Sequence, residues 1–385
     1  MPHRRKLLFC SAHCYVDPTS GAVVSAHDLL RLLQAENWDC RALCGASFDD
    51  PKQNLAGALA LRELPYSGNI TLDGIPVIVD ENVTNPKAVS PEAMNAFVAS
   101  LEQILREDRP DVVLTFGGNA IGRRIIAAVS AQKIPIVFWL RNTSYSSKDL
   151  FDKVDCSIVP SQFTADFYAR TLGINCTAIE PPFLLERVHC ESLERKYLTF
   201  VTPLPQKGVF VFARIASELR RLRPDIPIVV VEGRGDRAWL NKTGLDLSHV
   251  EILPKTRDPR DFLRITRALL LPSLWHETFG RVAAEAMFNG IPVLGSSRGG
   301  IPETFGKAGF VFDVPAHYTP ESRRVATVAD VAPWTQEIIR LWDDADYYAG
   351  AQQRSIDRAK ELTPEVLLPK YLAVLDEISG LRRSV

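Results

Sequence analysis

Short unbroken apolar runs recur along this chain, and between them apolar residues return every three or four positions. That alternation reads as buried strands separated by amphipathic helices. Residues 6–10, 75–79, 112–116, 134–140 and 156–160 have the length and composition of strands, and Val24, Leu29, Leu30 and Leu33 mark a helix after the first of them. Further runs at 197–202, 228–231, 250–253 and 309–312 repeat the pattern in the second half. Helices follow from about Asp330, which reads as an N-cap. The last helix is expected over 364–381, and residues 45–70 read as loop-rich.

One stretch, 268–303, organises the rest. A strand over 268–271 stops at Pro272 and Ser273, and a loop with Trp275, His276 and Glu277 follows. Gly280 releases the chain into a helix over 281–289, Gly290 ends it, and 291–294 form the next strand. Gly299 and Gly300 make a second loop before Pro302 and Glu303 open another helix. Both loops then lie at the carboxyl edge of a parallel sheet, where open α/β sheets bind ligands. The backbone amides of Thr278, Phe279, Gly280 and Arg281, with the helix dipole, suit a phosphate or diphosphate. Carboxylates repel such an anion, so Glu277 and Glu285 should each hold something neutral, with sugar hydroxyls the natural candidates. The expected ligand is nucleotide, diphosphate and sugar in line.

Length and charge narrow the picture. A chain of 385 residues suits two domains. A formal charge of −1 argues against bulk nucleic-acid binding, and no apolar run is long enough to span a bilayer. The basic start, MPHRRK, lacks the apolar segment of a signal peptide. It reads as a solvated terminus, compatible with peripheral contact with an anionic membrane. Seven cysteines without such a signal point to a reducing, cytoplasmic setting. Cys10 with Cys14, and Cys40 with Cys44, are spaced wider than a zinc knuckle and fall in or near strand-like runs, which suits buried thiols. Asp344-Ala345-Asp346 superficially matches a metal-binding D-x-D but falls in an amphipathic helical stretch, and no metal is expected.

The segments ETFGRVAAEAMFNGIPV and GGIPE together resemble the signature of the retaining glycosyltransferases of family 4. The resemblance implies an α/β chain of GT-B fold. Two Rossmann-like domains would face across a cleft, with a C-terminal helix crossing back to the first. The implied boundaries are 1–183 with 364–385 for acceptor binding and 184–363 for the nucleotide sugar, with Pro181-Pro182 as a rigid link. It also implies a metal-independent hexosyltransferase using a UDP- or GDP-sugar, no other cofactor, and a glycan, lipid or small-molecule acceptor.

Several residues carry expectations from this likeness. Glu277 is assigned to the transferred sugar and Glu285 to the ribose. Lys207 and Gly208 match the family turn whose cations neutralise the donor diphosphate, but the usual arginine is missing, so Arg234 and Arg298 are candidates to replace it. Gly21 stands where relatives carry a glycine-rich loop near the donor phosphate or acceptor. Arg141 and Asn142, with Thr143, occupy the strand end where many relatives place a histidine. Lys255 lies in the segment expected beside the nucleobase, and Gly300 and Glu303 belong to the second loop. Two other readings stay open: a non-catalytic sugar or nucleotide-sugar binding protein, and an epimerase or phosphorylase on the same fold.

Overall fold

The computed structural model describes residues 4–60, 62–65, 67–256 and 258–381. It divides into two units, Met1–Phe183 with Pro364–Val385, and Leu184–Thr363.

In the first unit the strands are β1 (Lys6–His13), β2 (Asp39–Ser47), β3 (Asn69–Leu72), β4 (Ile75–Asp80), β5 (Val112–Thr115), β6 (Ile136–Trp139), β7 (Cys156–Val159) and β8 (Thr177–Ala178). They lie in the order β3-β4-β2-β1-β5-β6-β7-β8, parallel except for the β3–β4 hairpin at one edge. Successive β1 side chains enter opposite faces. Leu7 and Phe9 join one apolar cluster, and Leu8 and Cys10 join the other. The final helix, Pro364–Leu381, covers one face with Leu368, Tyr371 and Leu375. Tyr371 stacks on Trp139 and donates to the Glu180 carbonyl at 2.8 Å.

The second unit holds β9 (Tyr197–Val201), β10 (Ile228–Val231), β11 (Val250–Leu253), β12 (Thr266–Leu271), β13 (Val293–Ser296) and β14 (Phe310–Phe312), all parallel, in the order β11-β10-β9-β12-β13-β14. The winding direction reverses between β9 and β12 here, and between β1 and β5 in the first unit. In such sheets the loops after the two strands flanking the reversal are where ligands sit.

Several local expectations need correction. Thr327, not Asp330, caps the helix Val328–Asp343; Asp330 is its third residue and completes a capping box. Hydrogen bonds from Thr327 and then Tyr318 hold the Asp330 carboxyl below its ordinary range. Asp344-Ala345-Asp346 straddles a helix break, with Asp344 capping the helix Ala345–Lys360 by accepting from the Tyr347 amide at 2.9 Å. The helix from Arg281 ends at Met287, since Asn289 turns its carboxamide to the Val188 and Glu285 carbonyls and Gly290 takes φ 60°. Its successor strand starts at Val293 rather than 291.

Residues 45–70 include the end of β2, a helix Leu55–Ala60 and the start of β3. A helix Pro91–Glu107, capped by Ser90, was not anticipated from the pattern. Of the basic start, Met1 to His3 lie outside the described residues. Arg4 donates to the Asn37 and Trp38 carbonyls, Arg5 pairs with Asp376, and Lys6 pairs with Asp108 at 2.8 Å. These cations serve the first unit's own packing. All seven cysteines are free, and burial pushes the Cys40 thiol up to about 12.

Candidate functional site

The loops after β9 and β12 meet at the reversal point of the second sheet, and their backbones lock together. Lys207 closes a single 3₁₀ turn, Pro205–Lys207, so it sits ahead of the helix Val209–Leu222 rather than in its first turn. Gly208 follows with φ 83°, and a Cβ there would overlap the Pro272 carbonyl. The Gln206 carbonyl accepts from the Leu274 and Trp275 amides, both at 3.0 Å. Only glycine fits such a left-handed position pressed on another backbone.

This locking sets Lys207 beside Glu277. The Lys207 Nζ lies 2.5 Å from Glu277 Oε1, and Ser273 Oγ donates to the same oxygen at 2.9 Å. The lysine side chain is 29% exposed and the glutamate 15%, so the pair faces solvent on one side only. Ser273, expected only as a strand stop, helps orient the carboxylate through that hydroxyl, which also lies 3.2 Å from the Gln206 carbonyl. Ser273 in turn is held through its carbonyl by Ser296 Oγ at 2.6 Å.

The second loop buttresses the first. A Cβ on Gly299, at φ 67°, would overlap the Glu277 carbonyl, and the Gly300 amide donates to that carbonyl at 2.6 Å. Gly280, at φ 88°, precedes the helix Arg281–Met287, while Phe279 is buried beneath it. The Arg281 Nε donates to Glu285 Oε1 at 2.9 Å, with both side chains mostly covered. Each glutamate expected to meet neutral hydroxyls thus has a cation at its side, Lys207 for Glu277 and Arg281 for Glu285.

The remaining candidates in this unit are spread along the same sheet edge. Arg234 is exposed in the loop after β10, where Gly233 and Gly235 press on Thr202 and Pro203. Lys255, half-buried, follows β11. Glu303 is exposed in the short helix Ile301–Phe305. Arg298, offered as a diphosphate cation, donates through Nη2 to the Val314, Pro315 and Tyr318 carbonyls, which ties down the chain after β14. His276 is held below its ordinary value, first by desolvation and then by the charge of Arg298.

In the first unit the corresponding edge is built differently. Gly21 opens the helix Gly21–Ala35 in open space, so nothing local demands a glycine. Arg141 lies 3.8 Å over the Trp139 ring. Asn142 turns its carboxamide oxygen to the Ser144 amide at 3.0 Å, and its carbonyl accepts from Tyr168 at 2.7 Å. Tyr145 accepts from the Gly117 amide at 3.2 Å, and burial pushes its hydroxyl up to about 12. Among the described residues, no group of three or more His, Cys, Asp or Glu gathers to hold a metal, and no helix is long and apolar enough to cross a membrane.

Comparison with known proteins follows the same division. Residues 195–344 match the family model described as glycosyl transferases group 1, and residues 19–187 match that of glycosyltransferase family 4. A lipopolysaccharide 1,2-N-acetylglucosaminetransferase of Salmonella typhimurium is 29% identical over 171 residues, 38% of this chain. The aligned part spans 45% of that enzyme, less than half its length. Among solved structures, Anabaena HepE in complex with UDP and glucose superposes with a TM-score of 0.69 at 17% identity, covering 97% of this chain and all of that one. The pneumococcal O-GlcNAc transferase GtfA, with UDP and GlcNAc, gives 0.70 at 12% identity, over 98% and 99% of the two chains. At such identities these likenesses establish the fold, which is GT-B.

Proposed function

We propose that this chain, which belongs to glycosyltransferase family 4, moves a sugar from a UDP- or GDP-sugar to a hydroxyl-bearing acceptor with retention of configuration. The observation that carries the reading is the Lys207–Glu277 pair, oriented by Ser273 and set by interlocked backbones at the reversal point of the sheet. Without donor the two charges compensate each other. A diphosphate lying against the Thr278-to-Arg281 backbone offers Lys207 a doubly charged partner and leaves Glu277 to accept from the sugar's hydroxyls. Glu285 is assigned to the ribose diol, with Arg281 fixing its orientation.

The chemistry then follows. As the bond from the anomeric carbon to the phosphate oxygen breaks, negative charge grows on the leaving diphosphate and positive charge on the sugar. Lys207 and the loop amides stabilise the former. The leaving oxygen takes the acceptor hydroxyl's proton while the acceptor oxygen bonds to the anomeric carbon from the same face. The products are a glycosylated acceptor and a nucleoside diphosphate. This route asks for no metal, and retention rests on the family likeness. The acceptor, whether glycan, lipid or small molecule, falls to the first unit's loops.

Slow nucleotide release from UDP-, GDP- and dTDP-sugars tests the reading. One donor should be hydrolysed, Glu277→Gln should lower that rate about a hundredfold or more, and Glu285→Gln should chiefly weaken donor binding. A chain that binds none of the three donors, or a Glu277→Gln variant with unchanged turnover, sinks the assignment.

A further inference from the structure

Thr304 is 1% exposed, just past the GGIPE segment, and its hydroxyl faces two carbonyls. One is Gly300, four residues back at 3.1 Å, an ordinary back-bond within a helix. The other is Phe279, in the loop behind Glu277, approached closely. The short helix bearing Thr304 is itself pinned from beyond, since Arg358 donates from Nε to the Thr304 carbonyl at 3.0 Å and from Nη2 to the Glu303 carbonyl at 3.1 Å.

Peptide geometry gives this contact a consequence. In a trans peptide the C=O and the following N–H point in opposite directions, and among the described residues there is no cis bond. Holding the Phe279 carbonyl toward Thr304 therefore aims the Gly280 N–H away from it. The Gly300 amide does the same two peptides earlier, where its bond to the Glu277 carbonyl at 2.6 Å aims the Thr278 N–H outward as well. Two alternate carbonyls are thus drawn to one anchored element, and two alternate amides face the other way together. Gly280 needs such a hold, because a glycine at φ 88° has little intrinsic resistance to rotation of its flanking peptides.

We propose that Thr304 is a positioning residue whose hydroxyl fixes the Phe279–Gly280 peptide so that its N–H meets the donor diphosphate. The proposal rests on the donor-site reading given above. Thr304 touches no substrate and acts through one peptide plane.

The test is titration calorimetry on the full chain with UDP and GDP, and with uridine and guanosine as controls lacking the diphosphate. In Thr304→Val the methyl replaces the hydroxyl at nearly equal volume. It should bind whichever diphosphate the wild type prefers about tenfold more weakly, with nucleoside affinity within twofold of wild type. Thr304→Ser keeps the oxygen and should restore diphosphate binding. Equal diphosphate affinity in wild type and Thr304→Val, or parallel loss for diphosphate and nucleoside, overturns the role of Thr304 alone. Should the valine variant fail to fold, the serine variant decides: a folded Thr304→Ser with tenfold weaker diphosphate binding overturns it. A wild-type chain that binds neither diphosphate overturns the donor-site reading, and this proposal with it.

Discussion

The two sheets share one winding scheme, yet their carboxyl edges are joined in different ways. In the second unit the loops touch backbone to backbone. Gly208 lies on Pro272, Gly299 on Glu277, and Gly235 on Pro203. In the first unit Gly45 also presses on the Ala12 and Val83 carbonyls and Gly122 on that of Gly117, but the loops after β5 and β6 are held by side chains, with Tyr145 reaching Gly117, Tyr168 reaching Asn142, and Arg141 lying over Trp139. Backbone contact admits only glycine and fixes loop positions to a fraction of an ångström. Side-chain contact tolerates other residues that fill the same space. On the function proposed above, the first design suits a site whose ligand is always a diphosphate, and the second suits loops that vary with the acceptor.

The sharpest break in that comparison is a pair of alanine substitutions. Gly208→Ala should destabilise the chain by about 3 kcal/mol, through a left-handed φ and overlap with Pro272, whereas Gly21→Ala should stay within about 0.5 kcal/mol. Urea unfolding of the two variants measures the contrast, and equal midpoints would dissolve it. Tyr145→Phe is the first-unit counterpart. Losing the oxygen that meets the Gly117 amide should cost about 1–2 kcal/mol while donor-sugar hydrolysis stays unchanged. A drop in hydrolysis would show that this loop serves the donor as well.

The smallest effect concerns His276. Its folded pKa lies below the unfolded value of 6.5, so the unfolded chain takes up more protons in that window. Stability should fall as pH drops through 6.5 and level off beneath the folded value. His276→Gln should flatten this part of the profile, as read from unfolding midpoints between pH 7.5 and 5. An unchanged slope would remove His276 as the source.

Legibility in the sequence follows the same physics. The run at 228–231 is buried on both faces and therefore unbroken, so the structure returns that strand at the same residues. Gly299 could be read because its backbone contact leaves no substitute, and the Glu277–Glu285 pair because its spacing matches the family signature. The contact of Glu277 with Ser273 was less legible. The Ser273 and Thr304 hydroxyls take directions that depend on tertiary packing, and nothing at their positions in the chain marks them. Asp330 was misplaced by three residues because a capping box contains two residues that can each cap, and only the fold selects Thr327. At Asn142 the sequence shows a polar residue at a strand end, and only the structure shows that it also closes its own turn.

The helix Pro364–Leu381 completes the first unit from beyond the second in sequence, which sets an order on assembly. While the polypeptide leaves the ribosome, the stripe beneath Tyr371 and Leu375, Trp139 included, stays wet until some 180 further residues have followed. The half made second can thus settle before the half made first. Until the tail docks, that uncovered stripe is the surface a nascent-chain chaperone would shield.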